Sequence, residues 1–151
     1  LRLTFADGRV LAHSGPQRLK LLDEAAARLL PEAVAEGHWN AMSGKIMVQP
    51  HDPMPTRHTP QPLAALFWLD EPPPEAAPDA VSSTRLTGVE LVRTLSVSAM
   101  EIRYYAPDRL ARQLRFAERV AGVLPVYGLH YSRSYPVLDR VAEEIRRRAF
   151  P

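Results

Sequence analysis

The chain has 151 residues, 46% hydrophobic and 24% charged, enough apolar material for a packed core and too much for a disordered chain. Its 19 Lys and Arg against 17 Asp and Glu leave a net charge of +2, well short of the basic footprint of a nucleic-acid binder. Without cysteine there are no disulfides, thiolate metal sites or cysteine nucleophile, and without an apolar run of about 18 residues nothing spans a membrane; a reducing, cytoplasmic setting is the expectation.

The opening residues, Leu1-Arg2-Leu3-Thr4-Phe5, have neither signal-peptide character nor an initiator Met, so the expectation is a piece of a longer protein. Arg2 to Phe5 alternates polar and apolar residues, and Arg9 to Ala12 pairs with it across Asp7-Gly8, a strong hairpin signal. Ser14-Gly15-Pro16 breaks the pattern. Leu19, Leu22, Ala26, Leu29 and Leu30 then fall at helical spacing and predict a helix from Gln17 to Leu30. Pro31 interrupts it, and a short helical piece runs on through Glu36 before Gly37.

Lys45 to Gln49 reads as a strand. The 15 prolines, about twice the usual share, cluster between Pro50 and Pro78 and predict a loop broken by one strand. That strand is Leu63 to Leu69, a continuous apolar run of the kind covered on both faces. Pro72 to Pro78 is a surface loop of polyproline character. Val81 to Leu86 predicts another strand, with Thr87 capping a helix from Gly88 to about Met100.

Pro107 to Val123 predicts a helix with Leu110, Leu114, Ala117 and Ala121 as its core stripe and Arg109, Arg112, Arg115 and Arg119 opposite. Pro125 to Tyr131 alternates as a strand. The last helix starts near Ser134-Tyr135-Pro136, buries Val137, Leu138, Val141 and Ile145, and ends on Arg146-Arg147-Arg148, which complements the C-terminal dipole. The order predicts a single α/β or α+β domain over residues 1–151, a small mixed sheet with packing helices.

Several residues have the right chemistry for a site. Lys45 follows Gly44 at a strand start, where an ammonium reaches phosphate as a point charge. Arg18 offers a bidentate grip on phosphate. Either is equally read as a solvated surface cation. The arginines of the Pro107 helix, with Glu118 the one acid among them, suit an acidic partner or simply a hydrated face. His38, His51, Asp52 and His58 match no standard zinc spacing, so no metal site is predicted. Ser96, Ser98 and Ser132 lack a nucleophile-elbow context. Trp39, Trp68 and Phe116 read as core residues.

Four stretches carry a resemblance. Ser14-Gly15-Pro16-Gln17-Arg18-Leu19-Lys20-Leu21, Ser43-Gly44-Lys45-Ile46-Met47-Val48, Pro62 to Leu69, and the run from Ala111 to Ile145 follow one another in order. The last includes the strand Leu124-Pro125-Val126-Tyr127-Gly128-Leu129-His130-Tyr131 and the helix Leu138-Asp139-Arg140-Val141-Ala142-Glu143-Glu144-Ile145. Together they resemble the C-terminal part of the HPr-serine-kinase-like proteins, P-loop proteins related in fold to phosphoenolpyruvate carboxykinase. The resemblance implies ATP and Mg²⁺ as cofactors, and transfer of phosphate to a serine or small hydroxyl acceptor on a protein or small molecule. Lys45 and Arg18 are the candidate phosphate or substrate contacts on their own side-chain chemistry. The family's nucleotide-holding loop, G-x-x-x-x-G-K-[ST], is not found in these residues. The alternative is a non-catalytic binding or regulatory module that uses the arginine face and the Pro-rich loop. Under the kinase-like reading, this portion completes the fold, shapes the acceptor site and is a candidate for self-association into a homo-oligomer.

Overall fold

Strand β1 (Arg2–Ala6) turns into β2 (Arg9–His13), and β3 (Leu19–Leu21) leads into helices α1 (Asp23–Leu29) and α2 (Pro31–Val34). Then come β4 (His38–Asn40), β5 (Lys45–Val48), β6 (Gln61–Pro62), β7 (Leu66–Asp70) and β8 (Val81–Arg85). Helices α3 (Gly88–Ala99) and α4 (Pro107–Val123) precede β9 (Val126–Tyr131), a 3₁₀ turn (Tyr135–Val137) and α5 (Leu138–Ala149). The computed structural model describes residues 2–14, 18–49, 59–99 and 106–150. His51, Asp52, His58, Met100 and the Gly15-Pro16-Gln17 part of the first family-like stretch lie outside the described residues.

The architecture is mixed α/β. The strands form three three-stranded sheets, of orders β1-β2-β6, β3-β5-β4 and β7-β9-β8, where one mixed sheet was expected. The chain divides into two compact units, one from Leu1–Leu3 and Ala12–Gln61, the other from Thr4–Leu11 and Pro62–Pro151. Among the described residues no helix is long and apolar enough to cross a membrane.

In the first unit β5 is central and antiparallel to both neighbours, with Leu19, Lys20 and Leu21 opposite Val48, Met47 and Ile46. The helix expected from Gln17 therefore begins six residues later, at Asp23 (23 − 17). Leu19 and Leu21 alternate as a strand partner for β5, and the acids Asp23 and Glu24 favour a helix N-terminus just after them. Ala26, Ala33, Ile46 and Val48 form the core, with Leu21, Leu30 and Val34 packed around them. Gly37 is required here. A Cβ on it would lie 2.6 Å from Ile46 Cδ1 and 3.1 Å from the Val34 carbonyl oxygen, so any larger residue forces the buried Ile46 side chain to shift.

In the second unit β9 is the central strand, parallel to β7 and antiparallel to β8. One face of this sheet packs on α5 through Leu129, Val137 and Val141, with Phe67, Val81, Tyr131 and Ile145 around them. On the same face Phe67 stacks on Tyr127, with ring centroids 5.4 Å apart. Leu138, expected in the core, is exposed. Strand β7 is an edge strand, so its apolar run is not covered on both sides: Trp68 is 37% and Leu69 56% exposed. Trp39, on the edge strand β4, is also exposed.

Helix α4 has the bounds its sequence predicts, but its buried side is turned by about one residue. Ala117 and Val120 are buried while Leu110 and Leu114 are exposed. Phe116 explains the turn, since its ring meets Phe5 of the hairpin edge-on at 5.5 Å. At the hairpin tip Asp7 and Gly8 both have positive φ, 50° and 71°, as a two-residue turn matched to strand twist requires.

Candidate functional site

Lys45 is the first residue of β5, half-buried and opposite Asn40. Ser43 donates its N–H to the Asn40 carbonyl and to Asn40 Oδ1, each at 3.2 Å, and Gly44 has φ +59°. Ser43-Gly44-Lys45 thus closes a β4–β5 hairpin. A phosphate-cradling loop runs instead from a strand into a helix, whose first N–H groups meet the anion. A Cβ at Gly44 would meet nothing within 4 Å, so no close backbone cradle exists there. The described residues also hold no group of three or more His, Asp or Glu suited to a metal ion. Ser43-Gly44-Lys45 therefore has the geometry of a hairpin turn and not that of a nucleotide-holding loop.

Arg18 is exposed and sits just ahead of β3, not in a helical turn. The β3–β5 register places it beyond Val48, at the far end of β5 from Lys45. Four residues of strand separate the two levels, about 13 Å. The fold does not bring these two cations together.

The four arginines of α4 have different surroundings. Arg109 is half-buried and has a partner. Arg112 and Arg115 are exposed. Arg119 lies over the Phe5 ring, its Cζ 4.0 Å from the centroid.

The arrangement with the most chemistry lies where the parallel strands β7 and β9 end. Asp70 is opposite His130, and His130 is opposite Ser82 of β8. Residues paired in this way share one face of a sheet, so Asp70, His130 and Ser82 form a row across three strands. It faces away from α5. The His130 Nδ1 is 3.3 Å from the Glu71 carbonyl oxygen. A carbonyl only accepts, so Nδ1 carries the proton, and Nε2 is the basic nitrogen of the neutral ring. The ring folds back over Gly128, where an added Cβ would be 3.3 Å from Nε2. Glu71 is held in turn, donating its N–H to Asp70 Oδ1 at 2.8 Å and pairing with Arg133 at 3.6 Å.

A carboxylate, an oriented imidazole and a hydroxyl can bind a polar hydroxyl-bearing molecule and accept its proton. The carboxyl ends of parallel strands are also where open α/β sheets build binding sites. Sequence reading did not single out Asp70, His130 or Ser82. The available signals were the acidic stop to the apolar β7 run and the alternation that puts Gly128 and His130 on one side of β9.

A second polar cluster, on the α5 face, is structural. Glu144 has a side chain only 12% exposed and accepts hydrogen bonds from Ser83 Oγ, from Arg147 at 2.6–2.9 Å and from Arg148 Nε at 3.2 Å. Arg148 also donates to Ser83 Oγ at 2.9 Å and lies 5.6 Å over the Tyr127 ring. Burial alone would push the Glu144 carboxyl up. The hydrogen bonds from Ser83, Arg147 and Arg148 outweigh it and hold the carboxyl below its ordinary range. The cluster ties α5 to β8, and Arg140 extends the tie by donating to Asp79 Oδ2 at 2.6 Å.

Comparison with protein families, with characterised proteins and with solved structures finds no match to this chain.

Proposed function

We propose that this chain forms the acceptor side of an HPr-kinase-like phosphotransferase, the part that receives the hydroxyl to be phosphorylated. Two supports stand behind the reading. The first is the ordered set of four family-like stretches in the sequence. The second, which carries it, is the Asp70–His130 pair at the carboxyl end of the parallel strands, beside Ser82.

In this reading an acceptor hydroxyl lies at the open end of β9. His130 Nε2 accepts its proton as the oxygen attacks, because the Glu71 carbonyl already holds the proton on Nδ1. Asp70 opposite stabilises the imidazolium that results. Bound ATP–Mg²⁺ would supply the γ-phosphoryl group, its bond to the bridging oxygen breaking as the acceptor oxygen bonds to phosphorus, with ADP as the leaving group. Its phosphate loop is assigned to residues outside this segment, since Ser43-Gly44-Lys45 is a hairpin turn.

Calorimetry with ATP–Mg²⁺ tests the assignment, run on this chain and on the chain extended upstream in its reading frame. Binding by the extended chain alone is expected. If neither chain binds, the phosphotransferase reading fails.

A further inference from the structure

Trp68 stands exposed on the sheet face that turns away from α5, and the phosphoryl transfer proposed above makes no use of it. Trp68, Gly128 and Thr84 are register partners across β7, β9 and β8, one step along from Asp70, His130 and Ser82 and on the same face. Behind this row the face is closed, because Val126 and Leu86 are buried. From the row onward it is open: Trp68, Thr84, Asp70 and Ser82 are all exposed.

Gly128 fixes where the proton acceptor lies. A Cβ there would be 3.3 Å from His130 Nε2, 3.9 Å from its Cε1 and 3.4 Å from Leu86 Cδ2. The imidazole therefore reaches back from its own row, and Nε2 stands over Gly128, in the row of Trp68 and Thr84. Neighbouring strands are about 4.8 Å apart, so β7 with Trp68 is one such step to one side of Nε2 and β8 with Thr84 one step to the other. A hydroxyl that gives its proton to Nε2 comes within about 3 Å of it. The group carrying that hydroxyl then lies beside Trp68, and an apolar part laid on the indole leaves water. Side chains on one face of an extended peptide repeat every ~6.6 Å, more than one strand step and less than two. With a serine at Nε2, the residue two positions away reaches Trp68, while the adjacent residue points to the other side.

We infer that Trp68 is a specificity-determining residue of this transfer and selects peptide serines that have a large apolar residue two positions away. The inference rests on the phosphotransferase reading and adds to it the class of acceptor.

Three serine peptides test it, alike except for leucine two positions before the serine, leucine two positions after it, or alanine at both. Assayed with the chain extended upstream and ATP–Mg²⁺, one leucine peptide should show a KM about tenfold below that of the alanine peptide. Trp68→Ala should abolish the preference by acting on KM rather than kcat, and Trp68→Phe should restore part of it. Binding is read separately from transfer. Trp39→Phe leaves Trp68 as the single tryptophan of this chain, so its fluorescence reports the peptide directly. A shift in that emission with the leucine peptide, without transfer, supports the seat on Trp68 and overturns the phosphotransferase reading. Transfer with equal KM for all three peptides, or with the preference intact in Trp68→Ala, overturns the inference and leaves that reading standing. Neither emission shift nor transfer overturns both.

Discussion

Asp70 and His130 stand opposite each other at the carboxyl ends of two parallel strands, with the imidazole anchored by Nδ1 to the carbonyl of Glu71. The anchor decides which nitrogen is basic. Nitrogen-15 NMR of the neutral ring should show Nδ1 protonated and Nε2 bare. Gly128→Ala places a methyl group 3.3 Å from Nε2 and should displace the ring, shifting both His130 nitrogen resonances. Identical spectra for the two proteins would mean that His130 does not rest over Gly128.

Glu144 should make the protein acid-sensitive. Its carboxyl is held below the ordinary value of 4.5, so it binds protons less readily folded than unfolded. The stability it contributes is complete above that ordinary value and is lost as pH falls below it. Glu144→Gln should cost about 1–3 kcal/mol at neutral pH and flatten the acid limb of the stability curve. Urea denaturation across the acid range measures both.

Gly37→Ala should destabilise the first unit by about 1–3 kcal/mol, because the new methyl group collides with Ile46. Ile46→Val removes Cδ1, the atom in closest conflict. The double variant should therefore recover part of the loss, a coupling that a double-mutant cycle reads directly. Strictly additive costs would place the strain elsewhere.

Gly122→Ala should raise stability by about 0.5–1 kcal/mol, since the position lies within α4 and an added Cβ meets nothing. The melting temperature checks the sign.

Much of the chain was legible because its signals were local. Pro107 and Asp108 open α4, and Leu124-Pro125 closes it, so its bounds follow from the residues alone. The Asp7-Gly8 hairpin and strand β9 are read the same way. Strand β3 was hidden because Leu19, Leu21 and Leu22 satisfy a helical and an alternating pattern alike, and only pairing with β5 decides. Phe5 turns α4 from a distance, which no periodicity within the helix reveals. The candidate site was the least legible part. Asp70, Ser82 and His130 come from three strands, and their row exists only once β9 has inserted between β7 and β8. Ser83 and Glu144 meet across 61 residues for the same reason.

The most direct test of the account is phosphoryl transfer by the extended chain from ATP–Mg²⁺ to a library of serine-bearing peptides, with His130→Gln compared to the unaltered protein. Loss of the proton acceptor should slow transfer by about a hundredfold and leave ATP affinity unchanged. Transfer at the unaltered rate by both His130→Gln and Asp70→Asn would contradict the assignment of this chain as the acceptor side.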